Sequence, residues 1–375
     1  VWANATNNFP LLKNPITPAG DVSVALSIFD PIWKELVQAA LERPHFQFPL
    51  HYDEFYGCLL PHLSHIKSIH QYGKLRATAE LHSGNPQDGT QSIRFMLQMV
   101  DRIQSEAFII SYLVWIADFQ ITMHPLWEGI THHLFRKEDL EILAHQLSQM
   151  SFIPQLQRAL GMERAIHVAE ILRVTKHRAY FARISNTSNM EAQDWPFPWT
   201  YHSYPYLAPK GWIKRNLLAY SKDLISLEKN LASWQKSKAD VLRDFKQSTS
   251  ERPIRPVTVY NVLSRSWTFN DRNIFAKALR AEAMVRLART ALALEQFYLD
   301  QSTYPASLSQ LVPQFLPEVE LDPIDFEPMR YQRTKADQFR LYSIGWNETD
   351  DGGKFEKEYK QGDWLWKWPV DSKTE

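Results

Sequence analysis

The chain has 375 residues, 44% of them hydrophobic, so it is long enough for two domains and apolar enough for a substantial core. Its formal net charge is zero, which excludes a strong overall attraction to nucleic acid or to an anionic membrane surface. The single cysteine, Cys58, excludes an intrachain disulfide and a cluster of thiolate metal ligands.

Helical periodicity dominates residues 1–250, which we call the helical array. After an irregular, proline-containing start, apolar residues recur at helical spacing. We predict helices over residues 21–41, 53–81, 89–119, 124–135, 137–150 and 153–182. A cluster of turn-forming residues at 82–88 predicts an antiparallel hairpin between the second and third helices. Because no 34-residue repeat is visible, we expect an irregular array of helical hairpins.

The longest apolar run, residues 107–119, is shorter than the about 20 residues that span a bilayer, and it contains Asp118. It therefore predicts a core helix. The chain begins at Val1 rather than at Met, and we expect a signal or anchor segment to be missing from its N-terminus. Membrane contact would then depend on that segment.

Residues 194–209 form an aromatic and proline-rich loop within the array. Four prolines exclude a regular helix, so the aromatic side chains must pack from an extended loop. They either seal the joint with the following helix or stack on a ligand such as a sugar ring or a peptide. The candidate ligand-binding residues are Trp195, Trp199, Tyr201, Tyr204 and Tyr206.

Residues 251–375 differ from the array in pattern and charge. A lysine-rich helix over 211–247 and a short linker precede an alanine-rich helix over 274–299. Short alternating segments then predict strands at 329–331, 339–344 and 364–366. From Gln301 onward there are 14 acidic and 9 basic residues, a net charge of −5, which suits a cation site. We predict a mostly α protein whose second domain is α+β, with a long helix and a small antiparallel sheet.

Several motifs of this second domain stand in an order that resembles the head of the major pseudopilin of type II secretion. They are Leu294 to Asp300, Tyr304-Pro305, Leu321-Asp322-Pro323, Leu341 to Gly345, Asp350 to Gly353 and Gly362-Asp363-Trp364. The resemblance covers about Ile274 to Pro369, which we call the head. It implies a helix that ends before a Tyr-Pro turn, an Asp-Pro at the start of the sheet, and an acidic loop that holds calcium.

The layout of the whole chain is similar to that of uncharacterised anchored envelope proteins of planctomycete and verrucomicrobial type. The segments LLPHLSHIKSIHQYGKLRATAEL and APKGWIKRN carry this similarity. It implies a location in the periplasm or at the cell surface, with the protein held at the membrane by its N-terminus.

The acidic loop from Ser343 to Asp363 is the candidate metal site. Calcium takes six to eight oxygen ligands, and glycines 352 and 353 allow a tight turn with inward carbonyls. The residues alone favour a solvated hairpin loop, whereas the resemblance favours a structural Ca²⁺. The candidate ligands are Ser343, Asn347, Asp350, Asp351 and Asp363.

The other candidate metal-binding and catalytic motifs are less specific. The histidines at 62, 65, 70, 132 and 133 share no clean helical face, and we interpret them as surface or capping residues. The chain has no G-x-S-x-G elbow and no phosphate-binding glycine loop. We therefore expect a non-enzymatic envelope protein, a scaffold or a cargo-binding component of a secretion or pilus-like system, with envelope or secretion-system proteins as partners. The alternatives are a glycan- or peptide-binding module and a carboxylate-dependent hydrolase.

Overall fold

The computed structural model describes residues 17–43, 48–52, 58–103, 106–177, 207–234, 271–356 and 361–366. Within these ranges the chain is mostly helical and ends in a small antiparallel sheet, as predicted. The α-helices are α1 (Pro18–Leu26), α2 (Asp30–Glu42), α3 (Pro61–His82), α4 (Pro86–Ile103), α5 (Ile109–Thr131), α6 (Lys137–Ser148), α7 (Ile153–Lys176), α8 (Lys210–Trp234) and α9 (Asp271–Gln301). The strands are β1 (Arg330–Lys335), β2 (Gln338–Ser343) and β3 (Trp364–Leu365).

Several predicted helices have different bounds in the structure: the one expected over 53–81 begins at Pro61, and the one expected over 153–182 ends at Lys176. The helix expected over 21–41 is interrupted by a 3₁₀ turn at Ser27–Phe29. The helix expected over 89–119 is two helices, α4 and α5, which are separated around residues 106–108. The helix expected over 124–135 is the last part of α5, which continues through Pro125. Buried apolar residues on both sides of this proline, including Phe119 and Leu126, keep α5 continuous despite the lost hydrogen bond.

The predicted hairpin is formed by α3 and α4. Gly84, with φ of +79°, supplies the left-handed turn between them. A Cβ on Gly73 would lie 2.7 Å from Sδ of Met96, and one on Gly89 would lie 2.7 Å from Leu81. These pairings run in opposite directions along the two helices, so α3 and α4 are antiparallel and closely packed.

Helix α5 lies parallel to α3, because three histidines of α3 contact, in the same chain order, Glu106 just before α5 and two acidic residues within it. The atom pairs are His62 Nε2 and Glu106 Oε1 at 2.7 Å, His70 Nδ1 and Asp118 Oδ2 at 3.7 Å, and His82 Nε2 and Glu128 Oε2 at 3.4 Å. His62 and His70 are both buried, so the interpretation of these two as surface or capping residues is wrong.

Helix α9 is buried among both helices and strands. It contacts α5, α6 and α7, and it also packs on β2 and β3. All seven alanines between Ile274 and Leu294 are buried, which allows close approach on several sides rather than on one narrow face. One continuous hydrophobic core therefore runs from the helical array into the head. The predicted domain boundary at residue 250 lies outside the described residues.

The sheet has the order β1-β2-β3 and is antiparallel throughout. Tyr331 pairs with Leu341 across β1 and β2, and Ser343 pairs with Trp364 across β2 and β3. The acidic loop connects β2 to β3, so the two ends of that loop are held together by the ladder. No helix among the described residues is both long and apolar enough to cross a membrane.

Candidate functional site

Asp363 closes the acidic loop of the head through backbone hydrogen bonds. Its Oδ2 accepts the amide hydrogens of Gly353 and Lys354 at 2.7 and 3.2 Å, and its Oδ1 accepts that of Asp351 at 3.3 Å. Burial raises the pKa of the Asp363 carboxyl, whereas these three amide bonds oppose that rise. Gly353 has φ of +79°, a conformation that glycine adopts without steric cost. The carboxylate thus fixes the turn that brings the loop back to β3.

Asp350 and Asp351 lie on the exposed side of the same loop. Oδ1 of Asp350 accepts hydrogen bonds from the Tyr342 hydroxyl and the Gly352 amide, both at 3.0 Å. Oδ2 of Asp351 accepts a hydrogen bond from Nδ2 of Asn347 at 2.9 Å. Burial is the larger cause and the hydrogen bond to Asp350 the smaller one that together raise the pKa of Tyr342 to about 12. Each carboxylate is therefore oriented by a side-chain donor.

Ser343 is directed away from the loop and towards Asp322. Its hydroxyl donates to Oδ1 of Asp322 at 2.9 Å, and the Ile344 amide donates to Oδ2 at 2.9 Å. The Ile324 amide also donates to Oδ1 at 3.0 Å. Asp322 is fully buried, and burial raises its pKa against the effect of these donors. This carboxylate joins the segment before β1 to the end of β2.

Sequence reasoning did not identify Asp322 as a site residue, although it stands in the Asp-Pro motif that carries the resemblance. Its partners are 21 and 22 residues further along the chain, so only the folded sheet shows its role. In the sequence, the Asp-Pro motif was the signal that could have identified Asp322.

Arg330 places a positive charge beside this group of carboxylates. Its guanidinium forms an ion pair with Asp325 and lies 3.7 Å from Asp322 and 3.8 Å from Asp350. Hydrogen bonding to Asp325 raises the pKa of Arg330, so it stays charged. Part of the negative charge in the head is therefore compensated by the protein itself.

The predicted calcium ligands fit a cation only in part. The carboxylates of Asp350, Asp351 and Asp363 do not form a compact three-ligand group in the described part of the chain. Ser343 faces Asp322, and both oxygens of Asp363 are occupied by amide donors. A Ca²⁺ ion would therefore have to use the outward oxygens of Asp350 and Asp351 with backbone carbonyls, while Asp363 shapes the loop.

A second polar group joins the head to the array. Glu282 on α9 accepts hydrogen bonds from the Phe152 amide at 2.8 Å and from the Ser151 hydroxyl at 3.1 Å, at the start of α7. Arg289, two turns further along α9, donates to the carbonyls of Leu147 and Met150 at the end of α6. An acid thus faces a helix N-terminus and a base faces a helix C-terminus, which is the favourable arrangement for both helix dipoles.

A cavity of about 570 Å³ opens between α4 and α6. Its charged and titratable lining residues are Arg94, Asp101, Glu141 and His145. This mixed lining could accept a small polar molecule. The candidate ligand-binding aromatics at 195–206 lie outside the described residues.

Comparison with known protein families, with curated proteins and with solved structures gave no match to this chain.

Proposed function

We propose that the chain is a non-enzymatic protein of the cell envelope, located in the periplasm or at the cell surface. In this proposal it acts as a scaffold or a partner- and cargo-binding component of a secretion or pilus-like system. The head would be pseudopilin-like and would hold a structural calcium ion, and the surface of the helical array would contact the partner proteins.

The observation that carries this proposal is the loop closed by Asp363 on a three-stranded sheet that packs against α9. The loop carboxylates accept hydrogen bonds from amide and hydroxyl donors, and a guanidinium lies 3.8 Å from Asp350, which is the chemistry of a structural loop. The order of the features along the chain, which is a long helix, a Tyr-Pro turn, an Asp-Pro and an acidic loop, supports the resemblance to the pseudopilin head.

The packed and hydrogen-bonded junction between head and array supports a scaffold. Glu282 and Arg289 bind the backbone at the α6–α7 turn, and the core is continuous across the junction. A partner bound to the array would therefore be held in a fixed position relative to the head.

Partner binding can be tested in the native cells with photo-crosslinking amino acids at exposed positions of the array, such as Glu141 on α6 and Arg158 on α7. We expect crosslinks to a small set of envelope or secretion-system proteins, and the chain in the envelope fraction. A matched crosslinker at Lys335, on the edge of the head, should give a different pattern. The proposal is overturned if the chain fractionates with the cytoplasm or if the crosslinked proteins are unrelated to the envelope.

Calcium binding can be tested separately with the full chain by titration calorimetry and thermal melting. We expect CaCl₂ to give saturable heat and a higher melting temperature, whereas the Asp350→Asn, Asp351→Asn double variant should respond to neither. Asp300→Asn, which removes a carboxylate on α9 outside the loop, is the matched control and should bind as the native chain does. No heat and no shift with the native chain would remove calcium from the proposal while leaving the scaffold role open.

A further inference from the structure

The C-terminal ends of α3 and α5 meet at the surface of the helical array. His82 is the last residue of α3, and His132 is the residue that caps the C-terminus of α5. Glu128 lies one turn before His132 on α5. Because α3 and α5 run parallel, this junction brings together side chains that are 46 residues apart in the sequence.

These three side chains point their ligand atoms at one location. Nε2 of His82 and Nε2 of His132 each lie 3.4 Å from the same oxygen, Oε2 of Glu128. One ligand atom from each of the three residues lies within 4.8 Å of the other two. Among the described residues, no other group of three His, Cys, Asp or Glu side chains has this geometry.

The distances match a metal site better than a set of hydrogen bonds. A good N–H···O hydrogen bond has a donor–acceptor distance of about 2.7–3.2 Å, so 3.4 Å is long for either histidine. Zinc binds histidine nitrogen and carboxylate oxygen at about 2.0–2.2 Å, and a tetrahedron with such bonds has edges of about 3.3–3.6 Å. The two nitrogen–oxygen distances therefore match two edges of a tetrahedral site, and the two histidine nitrogens lie within 4.8 Å of each other.

The backbone also favours a cation at this junction. The C-terminus of an α-helix carries a partial negative charge of about half an elementary charge, and here two C-termini lie side by side. The Glu128 carboxylate adds a full negative charge. His82 and His132 remain partly exposed, with side-chain exposures of 35% and 52%, so an ion can reach the site and the rings can adjust to it.

We propose that His82, Glu128 and His132 form a binding site for a divalent transition metal ion of the zinc class. Two imidazole nitrogens and one carboxylate oxygen select zinc, cobalt, nickel or copper over calcium and magnesium, which prefer oxygen ligands alone. Three protein ligands leave a fourth tetrahedral position for water or for a donor from a partner. The bound ion would link the ends of α3 and α5.

His133, the residue after His132, connects the metal-bound end of α5 to the head. His133 adopts a left-handed conformation with φ of 52°, and its ring turns inward to Glu295 on α9 while His132 faces the surface. A metal that holds His132 would thus fix the segment through which α5 contacts the head. This site is independent of the calcium loop and does not rest on the proposed function.

The test uses the full chain, freed of metal with a chelator and then titrated with Zn²⁺ alone by calorimetry and with Co²⁺ alone by visible absorption. We expect one Zn²⁺ per chain and the intense visible bands of tetrahedral Co²⁺. Because loss of an outer-shell partner alone lowers metal affinity about 10–100-fold, loss of a ligand in His82→Ala, Glu128→Gln or His132→Ala should lower it by about 100-fold or more. The Co²⁺ bands should disappear in all three variants.

His65→Ala is the matched control, since His65 is an exposed histidine on the same helix, about 25 Å from His82 along its axis. It should bind Zn²⁺ as the native chain does. Circular dichroism of each variant without metal shows whether it is folded, and the three ligands are partly exposed, so we expect all of them to fold. The proposal is overturned if the native chain shows no saturable binding, or if the three ligand variants bind as tightly as His65→Ala.

A second readout separates a built site from scattered surface binding. Zn²⁺ should raise the melting temperature of the native chain and of His65→Ala, and should leave that of His82→Ala unchanged. An excess of Ca²⁺ should not displace it, because calcium binds imidazole poorly. Equal shifts in all variants, or displacement by Ca²⁺, would contradict the assignment.

Discussion

The carboxylate of Glu295 lies 2.8 Å from Nδ1 of His133, and this contact ties α9 to the segment that follows α5. The second carboxylate oxygen accepts the hydroxyl of Tyr304 at 2.8 Å. Glu295 is fully buried, and burial raises its pKa, whereas the two donors oppose that rise. The His133 ring also stacks on Tyr298, with ring centres 4.2 Å apart. The head is therefore joined to the array by a buried polar cluster as well as by apolar packing.

Removal of the Glu295 carboxylate should destabilise the whole chain. Glu295→Ala leaves His133 and Tyr304 without their acceptor, and an unsatisfied buried polar group costs about 1–3 kcal/mol. With the lost packing, we expect the free energy of unfolding to fall by about 3 kcal/mol, measured by urea denaturation. Asp300→Ala is the matched control, because Asp300 also joins α9 to the array, through Lys137 at 2.8 Å, but that pair is exposed. Equal effects of the two substitutions would contradict a special role for the buried cluster.

Arg289 should hold the turn between α6 and α7. In Arg289→Ala the carbonyls of Leu147, Ser148 and Met150 lose their shared donor, so we expect faster amide hydrogen exchange over residues 147–153 and a loss of about 2–3 kcal/mol in unfolding free energy. Arg289→Lys should recover only part of this, because an ammonium lacks the planar fork. Arg158, which is exposed on α7, is the control position. Unchanged exchange in Arg289→Ala would show that packing alone fixes the turn.

The buried carboxyl of Asp118 should make stability depend on pH. Burial raises its pKa to about 7, against the nearby positive charge of Lys67, which lowers it. The folded state thus holds the proton more tightly than the unfolded state, so this contribution is complete below about pH 4 and is lost as the pH rises through 7. Asp118→Asn keeps the shape without the charge. We expect it to be more stable than the native chain at pH 8, by up to about 4 kcal/mol, and nearly unchanged at pH 4.

Thermal unfolding of both forms between pH 4 and 8 measures this effect. The opposite result would be explained by His70, which lies next to Asp118. Its two ring nitrogens lie 3.0 and 3.1 Å from the carbonyls of Ile66 and Met96, while burial lowers its pKa. If Asp118→Asn proves less stable at pH 8, His70 is protonated in the fold and Asp118 is its counter-ion.

Local patterns were sufficient for most of the fold. Strand β2 falls within one residue of its predicted bounds, since the spacing of Phe339 and Leu341 by two residues requires no long-range information. The helix predicted over 124–135 is instead the last part of α5, which continues through Pro125 although a proline usually interrupts a helix. The buried residues on both sides of it, which only the packed array reveals, keep α5 intact.

The sites were harder to predict because their partners are distant in the chain. Acidic residues marked the loop at 350–363, but the role of Asp363 as an amide acceptor depends on how the chain returns to β3. The pair His82 and Glu128 requires the parallel packing of α3 and α5. The spacing of Glu128 and His132 by four residues was the only local signal of that group.

Two glycines of the head offer a final test of the close approach between the ends of the acidic loop. Gly345 and Gly352 have φ of +70° and +72°, so alanine is strained at both, at about 1–2 kcal/mol each. A Cβ on Gly345 would also lie 2.4 Å from the carbonyl oxygen of Gly362, whereas one on Gly352 would meet nothing within 4 Å. Because backbone must move to relieve that clash, Gly345→Ala should separate β2 from β3 and cost about 3 kcal/mol or more. Near-ultraviolet circular dichroism, to which buried aromatic residues such as Trp364 contribute, should change strongly in Gly345→Ala and little in Gly352→Ala, and thermal melting should show the same difference. Similar losses in the two variants would mean that the strand ends are not held at this distance, and that the loop is ordered by Asp363 alone.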